Sequence, residues 1–453
     1  MFSLRRWTAR NIFIPVLHNY WNLPVFPIYK EFMRHDSLSP DHLKSVQENR
    51  LTKIMEYAAT HIPYYQSILR GKGFAARDMK NEQAVSLFPV LTKKIIQEHF
   101  DELVHPQMTP KDYAVEHSGG STGQPTKIRR YLQARASVHA ATWRANAWMG
   151  WEPGDPWMWL WGRLVTTPAS WQSRLLNLYK TFATQEAFFN VHGLDEKKLR
   201  AFIRTARWFR PKIMEGYTNA FYQLCLLLKQ ENLIPPPLSG IATTAETLHP
   251  EQRSLIEEVL KCRIFNRYAS SEVGLIATEC EAHAGLHIVM ENIFLECVRE
   301  DGSPASPGEM GKILITDLNN LAMPLIRYDL GDVGILSPEP CKCGRPYPCL
   351  KKVIGRQSDV LRLPGNRIVF PDDLAEIFYP IEEVRKFQVI QEEPAKITVL
   401  LVLHGKDASE RLEPGIRRFL QEAVGQKTEV DLKFVDDIPI LPSGKHRICI
   451  SKL

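Results

Sequence analysis

Apolar residues recur along the chain at two spacings, one typical of helices and one typical of strands. After Ser39-Pro40-Asp41, apolar side chains return every three or four residues, which predicts an amphipathic helix with proline in its first turn. The apolar positions of this helix are Leu43, Val46, Leu51, Ile54, Met55 and Ala58. Between residues 199 and 268 the two spacings alternate, which predicts helices at 199–209, 220–233 and 250–260 and strands at 213–217, 241–243 and 263–268.

This alternation predicts an α/β fold, because strands separated by helices favour parallel pairing. Ligands of parallel sheets bind beyond the carboxyl ends of the strands, and Glu246 and Glu272 follow two of the predicted strands. The order of elements changes after residue 359. The pattern there predicts strands at 367–370, 396–403 and 431–435, a helix starting at residue 372 and a second helix at 412–424. We therefore expect a large α/β unit followed by a small α+β unit.

Length and composition agree with a globular protein of two or three domains. The chain has 453 residues, and 44% of them are hydrophobic, which is enough for a substantial core. The formal net charge of +6 suits anionic substrates without pointing to any one of them. No dense run of lysine and arginine with interleaved aromatic residues occurs, so nucleic-acid binding is not expected.

The amino-terminal residues, to about residue 60, allow two interpretations. Three arginines, at positions 5, 6 and 10, stand beside Trp7 and the apolar run at 12–17, a composition that fits peripheral contact with an anionic membrane. The preferred interpretation is a helical arm that packs on the main domain. The apolar run is too short to cross a bilayer or to form a signal core, so we expect a cytoplasmic protein.

Residues 116–127 have the composition of a phosphate-binding loop. They read Glu-His-Ser-Gly-Gly-Ser-Thr-Gly-Gln-Pro-Thr-Lys and follow a predicted strand at 113–115. Glycines let main-chain N–H groups approach an anion closely, while hydroxyls and one lysine add donors and charge. The loop is not the common nucleotide-triphosphatase loop, since it lacks the Gly-Lys-Ser/Thr triplet. A flexible surface turn is the alternative. The binding residues would be Ser118, Gly119, Gly120, Ser121, Thr122, Gly123, Thr126 and Lys127.

Two later segments supply groups that a nucleotide site needs. The segment 266–272 ends a predicted strand, and there Glu272 is suited to hold Mg²⁺ while Tyr268 is suited to lie against a purine. In the segment 326–332, Asp332 follows a glycine and is suited to accept hydrogen bonds from ribose hydroxyls. Each segment has an ordinary alternative, a loop with a solvated glutamate in the first case and a Gly-Asp turn in the second.

Two further segments complete the series. Residues 354–359 and the Pro-Gly-Asn that follows at 364–366 form a polar break that fits a linker between domains. Near the end of the chain, Lys445 stands on a Pro-Ser-Gly loop, from which a lysine can move into a distant site. Taken alone, such a lysine is usually a solvated charge.

In this order the five segments resemble the adenylate-forming superfamily of acyl-CoA synthetases, luciferases and peptide-synthetase adenylation domains. The branch most similar is that of the phenylacetate–coenzyme A ligases, with its relatives in capsular-polysaccharide biosynthesis. The resemblance extends from the His-Ile-Pro-Tyr-Tyr segment at 61–65 to the lysine loop. It implies an adenylate-forming fold with a large amino-terminal domain, residues 1–355, and a mobile carboxy-terminal domain, residues 356–453, that carries the catalytic lysine.

The resemblance also implies a role for each site residue. The loop from Ser118 to Lys127 would bind the β- and γ-phosphates of ATP, and Glu272 would coordinate Mg²⁺. The lysine at 445 would bridge the carboxylate, the α-phosphate and the ribose during catalysis. The adenine would be framed by Thr243, Thr244, Ala245, Glu246 and Tyr268, and Ser271 would also bind the nucleotide. Asp332 would hold the ribose, and Arg356 would contact the ribose or the phosphates. Two positions after that arginine, where the family often has an acidic residue or lysine, this chain has Ser358.

The implied activity is AMP-forming ligation of a carboxylic acid to coenzyme A by way of an acyl-adenylate. An adenylating enzyme that transfers the acyl group to an amine or a hydroxyl, as in capsule or natural-product assembly, is the alternative. A non-catalytic scaffold is a third possibility, but the retained Lys127, Glu272, Asp332 and Lys445 argue against it. The tryptophan-rich stretch at 143–161, together with Tyr217, offers a wall for an aromatic acid, although aromatic side chains more often serve the core.

The eight cysteines do not form the pattern of a secreted disulfide framework. The closely spaced Cys341 and Cys343 are typical of metal ligands, and a second group lies at Cys280, His283 and His287. The family resemblance favours a structural zinc site made by Cys280, His287, Cys341 and Cys343, with His283 as an alternative fourth ligand. Buried free cysteines and surface histidines are the ordinary alternative.

Overall fold

The computed structural model describes residues 2–20, 23–117, 126–161, 181–190, 196–356, 360–365, 367–381, 383–403, 408–438 and 447–453. Within these ranges the strands form a large sheet of eleven strands, two separate hairpins and a sheet of four strands near the carboxyl end. The helices are α1 (Phe2–Thr8), α2 (Ile14–Tyr20), α3 (Val25–His35), α4 (Pro40–His61), α5 (Pro63–Gly71), α6 (Lys93–Glu98), α7 (Leu132–Ala147), α8 (Glu196–Phe209), α9 (Thr218–Gln230), α10 (Pro250–Leu260), α11 (Pro371–Phe378) and α12 (Ala408–Val424).

The helix predicted after residue 39 is confirmed as α4. It begins there because the Ser39 hydroxyl accepts a hydrogen bond from the backbone N–H of His42 at 3.3 Å, and Pro40 occupies the first helical position. The predicted helix at 250–260 is also confirmed, as α10. The helix predicted at 220–233 instead spans Thr218–Gln230. It stops early because Asn232 adopts a φ of +50° and three prolines follow at 235–237.

Half of the large sheet is parallel, as predicted. The parallel strands lie in the order β4, β3, β5, β6, β7. One face of these strands packs on α8, α9 and α10, and the other packs on α3 and α7. Their bounds are β3 (Trp157–Trp161), β4 (Glu186–Asn190), β5 (Ile213–Tyr217), β6 (Gly240–Thr244) and β7 (Arg263–Ser270).

The other half of the large sheet is antiparallel, and the sequence pattern did not predict it. The strand β7 is the border, since it pairs with β6 in parallel and with β8 antiparallel. From there the order continues as β8, β9, β13, β12, β11, β10. These strands are β8 (Gly274–Glu279), β9 (Leu286–Ile288), β10 (Ile293–Val298), β11 (Met310–Asp317), β12 (Tyr328–Leu336) and β13 (Cys349–Arg356).

A hairpin of β1 (Tyr113–His117) and β2 (Lys127–Tyr131) carries the predicted phosphate loop at its tip. His117 lies opposite Lys127 in the register, so the two strands hold the ends of the loop together. The strand predicted at 113–115 is therefore confirmed. Residues 118–125 of the loop lie outside the described residues.

The carboxy-terminal unit has its own sheet and its own core. The strands β16 (Val384–Glu393), β17 (Lys396–Leu403), β18 (Glu429–Phe434) and β19 (Cys449–Ser451) lie in the order β18, β17, β16, β19. The α+β character predicted for this unit is confirmed, and its buried core draws only on residues between 361 and 449. A small hairpin of β14 (Leu361–Leu363) and β15 (Arg367–Val369) precedes it. The domain boundary at residues 355 and 356 stays a prediction.

The amino-terminal arm packs against the body through ion pairs. Arg6 and Arg10 both pair with Glu152, and Arg6 also lies 3.4 Å from Asp155. Two of the three arginines at the start of the chain therefore face protein carboxylates, which agrees with the preferred interpretation of a packed arm. No helix within the described ranges is both long enough and apolar enough to cross a membrane.

Behind the arm lies a buried ion network centred on Glu291, which is fully buried. Arg144 on α7 donates a hydrogen bond to its carboxylate at 2.5 Å, and His35 at the end of α3 lies 3.0 Å away. The Tyr347 hydroxyl lies 3.1 Å from both Glu291 and Asp36. Burial alone would raise the pKa of Glu291, but Arg144 and His35 more than offset it and lower that pKa to about 2.

Candidate active site

A cavity of about 670 Å³ lies where the carboxyl end of β6 meets β7, β12, β13 and the carboxy-terminal unit. Its lining includes Ala245, Glu246, Tyr268 and Asp332, four residues that the sequence assigned to nucleotide binding. They come from three segments that are well separated along the chain. The carboxy-terminal unit contributes Pro371, Tyr379, Arg447, Ile448 and Cys449. The volume is within the range of small-molecule sites.

The ribose-binding candidate Asp332 is in direct contact with Tyr268, an adenine-binding candidate. The Tyr268 hydroxyl donates a hydrogen bond of 2.6 Å to the Asp332 carboxylate. Asp332 is also the cross-strand partner of Arg356 in the pairing of β12 with β13. Gly331, immediately before Asp332, has a φ of +81°, a conformation that favours glycine. The side chain of Arg356 lies outside the described residues.

The predicted adenine-binding turn is strained at one residue. Ala245 follows β6 with a φ of +71°, a conformation that is uncommon for a residue with a Cβ and that is found at ligand sites. The next residue, Glu246, accepts a hydrogen bond of 2.8 Å from the backbone N–H of Asn219, at the start of α9. Thr244 is buried and does not line the cavity. The turn is therefore anchored to the neighbouring strand-to-helix junction.

Glu272 lies in the turn between β7 and β8 and is buried. The Tyr328 hydroxyl donates to one of its carboxylate oxygens at 3.2 Å, and the Ser271 hydroxyl donates to the other at 3.1 Å. These hydroxyls hold the carboxylate in one orientation. Neither Ser271 nor Glu272 lines the cavity, so the structure groups them with the phosphate-loop hairpin rather than with Tyr268 and Asp332.

Arg130 is a site residue that the sequence reasoning missed. It lies on β2, three residues after Lys127, and its guanidinium donates to Glu116 on β1 and to the backbone oxygen of Ser271, both at 2.7 Å. This side chain therefore ties the base of the phosphate-loop hairpin to the turn that carries Glu272. The only signal in the sequence was its position among alternating residues of a short strand, which does not distinguish it from its neighbours.

Several predicted site residues lie outside the described residues, so their positions stay predictions. They are Ser118, Gly119, Gly120, Ser121, Thr122, Gly123 and Lys445. Lys127 is described and is exposed at the start of β2, where an anion held by the loop would meet it.

The carboxy-terminal unit reaches the large unit through Tyr379, a contact that the sequence also did not predict. Its hydroxyl accepts a hydrogen bond of 3.1 Å from Gln252 on α10. Its ring lies 5.8 Å from Tyr222 and 5.3 Å from His249, measured between ring centroids. Burial and the nearby Glu246 carboxylate raise the pKa of Tyr379, so the hydroxyl stays protonated.

The four zinc-ligand candidates come together in one group. The ligand atoms of Cys280, His287, Cys341 and Cys343 all lie within 4.8 Å of one another. The sulfurs of Cys280 and Cys341 are 3.7 Å apart, and the Cys343 sulfur is 3.3 Å from Nε2 of His287. Sulfurs bound to one tetrahedral zinc at about 2.3 Å would be separated by ~3.8 Å. The donor set and its spacing therefore fit Zn²⁺.

The remaining nitrogen of His287 and the alternative ligand support this grouping. Nδ1 of His287 lies 3.2 Å from the backbone oxygen of Tyr347, so a proton on Nδ1 leaves Nε2 free to bind a metal. His283, the alternative ligand, is not part of the group. It lies 3.2 Å from Glu279, whose carboxylate also pairs with Arg253 at 2.7 Å.

Most of the tryptophans of the 143–161 stretch belong to the core, which is the ordinary alternative that the sequence left open. Trp143, Trp148, Trp151 and Trp157 are buried. Trp161 differs, because it is half-buried at the carboxyl end of β3 and its ring lies 4.7 Å from that of Tyr217.

These elements define the fold class of the adenylate-forming enzymes, a large α/β unit followed by a small α+β unit that meets the carboxyl ends of the parallel strands. Comparison with solved structures supports the class. The chain superimposes on 2-hydroxyisobutyryl-CoA ligase in its postadenylation state with a TM-score of 0.76, over 92% of both chains and at 18% identity. For the thioesterification state of the same ligase the TM-score is 0.58.

Sequence comparison identifies the relatives. The chain is 26% identical to a phenylacetate–coenzyme A ligase of Thermus thermophilus, over 77% of this chain and 78% of that protein. It is 24% identical to Protein CapK of Staphylococcus aureus, over 91% and 90% of the two chains. Residues 362–452 match the family described as CapK C-terminal domain. The resemblance to the adenylate-forming superfamily, and to its phenylacetate–CoA ligase and CapK-like members, is confirmed.

Proposed function

We propose that this protein is an ATP-dependent, AMP-forming ligase that joins a carboxylic acid to coenzyme A. The observation that carries the proposal is the cavity, where Ala245, Glu246, Tyr268 and Asp332 line one space of nucleotide size. The similar phenylacetate–CoA ligases and the fold of the CoA ligases support the same activity.

The first half-reaction is attack by a carboxylate oxygen on the α-phosphorus of ATP, with loss of pyrophosphate and formation of an acyl-adenylate. Negative charge accumulates on phosphate oxygens that already repel the attacking anion, so cations and N–H donors must offset it. Lys127 and the loop amides are suited to the departing phosphates, and Lys445 to the α-phosphate. Asp332 would hold the ribose hydroxyls, with Tyr268 fixing its carboxylate.

Glu272 fits the part of a Mg²⁺ ligand. Its carboxylate is buried, oriented by two hydroxyls and joined through Ser271 and Arg130 to the phosphate-loop hairpin. Carboxylate oxygens are the ligands that this ion prefers. Bound there with ATP, Mg²⁺ would neutralise phosphate charge. The chain's own contribution is to hold Glu272 at the base of the loop.

In the second half-reaction the thiol of coenzyme A attacks the acyl carbon, AMP leaves as its phosphate takes back the bonding electrons, and the thiol proton passes to solvent. The family accomplishes this step by rotating the carboxy-terminal domain, which withdraws the lysine. In this chain the rotation would break the contacts of Tyr379 with Gln252, Tyr222 and His249. The domain boundary at 355 and 356 is part of the proposal.

We also propose an aromatic acid as substrate, a zinc site and a cytoplasmic location. The ring of Trp161 against Tyr217 lies at the carboxyl ends of β3 and β5 and offers a flat apolar wall. Zinc held by Cys280, His287, Cys341 and Cys343 would connect the loop before β13 to the segment that contains the turn between β8 and β9. All eight cysteines are free, as is usual in a reducing compartment.

Pyrophosphate release measured over a panel of aromatic and aliphatic carboxylic acids, with and without coenzyme A, tests the activity. We expect acid-dependent pyrophosphate release and an acyl-CoA product that requires coenzyme A. Correctly folded protein that binds no Mg-ATP in calorimetry would refute the proposal. A product formed with an amine or hydroxyl acceptor in place of the thiol would identify the alternative ligase.

Metal analysis tests the zinc site separately. Protein purified without a histidine tag should carry one equivalent of zinc, and Cys341→Ser should lose it. Less than about half an equivalent in the wild-type protein would count against the site.

A further inference from the structure

One short segment of the chain is densely basic. Between residues 196 and 212 there are seven basic side chains and one acidic side chain, a net charge of +6, which equals the formal net charge of the whole protein. The formal charges of the remaining residues sum to zero. This segment comprises α8 and the turn that leads into β5.

The helix α8 divides into a buried apolar face and an exposed basic face. Leu199, Phe202, Ile203 and Ala206 are buried, and they pack on the large sheet. Trp208 lies on the other face and is 79% exposed. Its exposed basic neighbours on this segment are Lys197, Arg200, Arg204, Arg207 and Arg210.

Few carboxylates neutralise these cations. Arg200 pairs with Glu231, and Lys212 lies 2.7 Å from Asp155. Arg204 and Arg210 form no ion pair with any part of the chain that the structure describes. Their charge is available to an external anion.

A second exposed apolar residue lies beside the end of α8. Ile234 is 77% exposed, and its backbone oxygen accepts a hydrogen bond of 2.8 Å from Arg207. Together with Pro235, Pro236 and Pro237 it borders a groove of about 750 Å³ that Arg207, Arg210 and Lys212 also line. This groove lies at the amino ends of β3, β5 and β6, whereas the candidate active site lies at the carboxyl ends of the parallel strands.

The amino-terminal arm extends the same surface. Asp155, which lines the groove, is contacted by Arg6 of α1 as well as by Lys212. Next to Arg6, Trp7 is 56% exposed and Leu4 is 67% exposed. The other tryptophans that the structure describes are buried or half-buried. Both exposed tryptophans thus belong to one edge of the molecule, here named the amino-end surface (Leu4, Trp7, Arg204, Trp208, Arg210 and Ile234).

We propose that the amino-end surface docks the protein on an anionic membrane. Exposed tryptophans and aliphatic tips bordered by arginine are the composition of helices that lie in the lipid headgroup region. Anionic lipids attract basic side chains near the surface, and tryptophan favours the boundary between water and hydrocarbon. The apolar tips distinguish this surface from a purely basic face for an acidic protein. Docked this way, the protein would keep its candidate active site open to the solution.

Vesicle flotation of the full-length protein tests the proposal. We expect binding to vesicles in which about a third of the lipid is phosphatidylglycerol and no binding to vesicles of phosphatidylcholine alone. The double variant Arg204→Glu/Trp208→Ala changes two exposed side chains that lie one turn apart on α8. It should lower the vesicle partition coefficient by about tenfold or more, while its circular dichroism and its activity in solution stay unchanged.

A matched control exists on the carboxy-terminal unit. Arg418 and Phe419 on α12 are exposed, and the arginine lies 5.0 Å from the ring. The variant Arg418→Glu/Phe419→Ala makes the same charge change there and also removes an aromatic ring, and it should bind vesicles as the wild type does. Three results would overturn the proposal: absence of binding to anionic vesicles, equal losses in the two double variants, or binding of soluble polyglutamate without binding of vesicles, which would identify an acidic protein as the partner.

Discussion

The candidate cavity and the Glu291 network are both built from polar side chains of distant segments, yet they differ in what those side chains face. Around the cavity, Tyr268 and Asp332 pair with each other beside a space of about 670 Å³. In the network, Glu291 and Arg144 are fully buried and face only protein atoms. The side chains at the cavity can exchange a protein partner for a ligand. The side chains of the buried network are not exposed to any space in which a ligand could bind.

This difference separates activity from stability. A side chain at the cavity can be removed with a loss of binding but a small loss of folding energy, because water takes its place. Removing one partner of a buried pair leaves the other charge without compensation. Substitutions in the two regions should therefore affect different measurements, and the size of each effect tests the comparison.

The largest effect is expected from Arg144→Met. The substitution keeps an unbranched apolar stem but leaves the Glu291 carboxylate without its arginine partner. We expect the free energy of unfolding to fall by about 4 kcal/mol at neutral pH, as is typical for breaking a buried pair. Chemical denaturation of both proteins measures it, with Arg418→Met on the exposed face of α12 as the control.

The same variant carries a pH signature. In the wild type the pKa of Glu291 is lowered to about 2, so its contribution is fully present above the ordinary carboxyl pKa and is lost as the pH falls toward 2. The difference in stability between wild type and Arg144→Met should therefore shrink on acidification below about pH 4.5. A difference that stays constant down to pH 3 would show that lost packing, not lost charge, causes the effect.

Lys445→Ala should have the next largest effect, on one half-reaction only. If this lysine stabilises charge at the α-phosphate, its loss raises the adenylation barrier by about 3 kcal/mol, or roughly a hundredfold in rate. Thioester formation from preformed acyl-adenylate should be spared, and so should the free energy of unfolding. Single-turnover assays of the two steps decide the question, and equal losses in both would contradict the assigned role.

Asp332→Ala should weaken nucleotide binding at the cavity. The substitution removes a charged acceptor of ribose hydroxyls, which is worth about 2 kcal/mol, or roughly thirtyfold in the KM for ATP. Tyr268→Phe removes only the 2.6 Å hydrogen bond to that carboxylate and should have a smaller effect in the same direction. Steady-state kinetics with ATP and with the acid varied in turn provide the measurement. A rise confined to the KM of the acid would place Asp332 elsewhere in the reaction.

The sequence predicted those parts of the fold and site that local chemistry determines. The helices α4 and α10 follow from spacing and caps. Tyr268, Glu272 and Asp332 were selected by the residue types of their segments, and their roles stay predictions. The strands between 274 and 356 were missed because short apolar runs do not distinguish strand from helix when no helix separates them. Arg130 was missed because its role depends on contacts with Glu116 and Ser271 that only the folded chain creates.

The four zinc-ligand candidates were also only partly predictable from the sequence. The sequence indicated Cys341 and Cys343 and a second group at Cys280, His283 and His287, and the resemblance to the family combined four of these residues into one set. Choosing between His283 and His287 required the structure, since both lie within seven residues of Cys280. Only the pairing of β9 with β13 brings His287 beside the cysteine loop, and His283 is occupied by Glu279.

The smallest effect is expected from Tyr379→Phe, a substitution at the border of the two units. It removes the hydrogen bond from Gln252 and keeps the ring contacts with Tyr222 and His249. A neutral hydrogen bond contributes about 1 kcal/mol. Its loss should lower the population of the domain arrangement in this structure about fivefold, relative to an arrangement in which the carboxy-terminal unit has rotated. Adenylation should slow by about that factor while thioester formation is unchanged or faster. The control is Tyr222→Phe, because it leaves the hydroxyl of Tyr379 in place. Equal slowing of both half-reactions by Tyr379→Phe would mean that this contact does not bias the domain rotation.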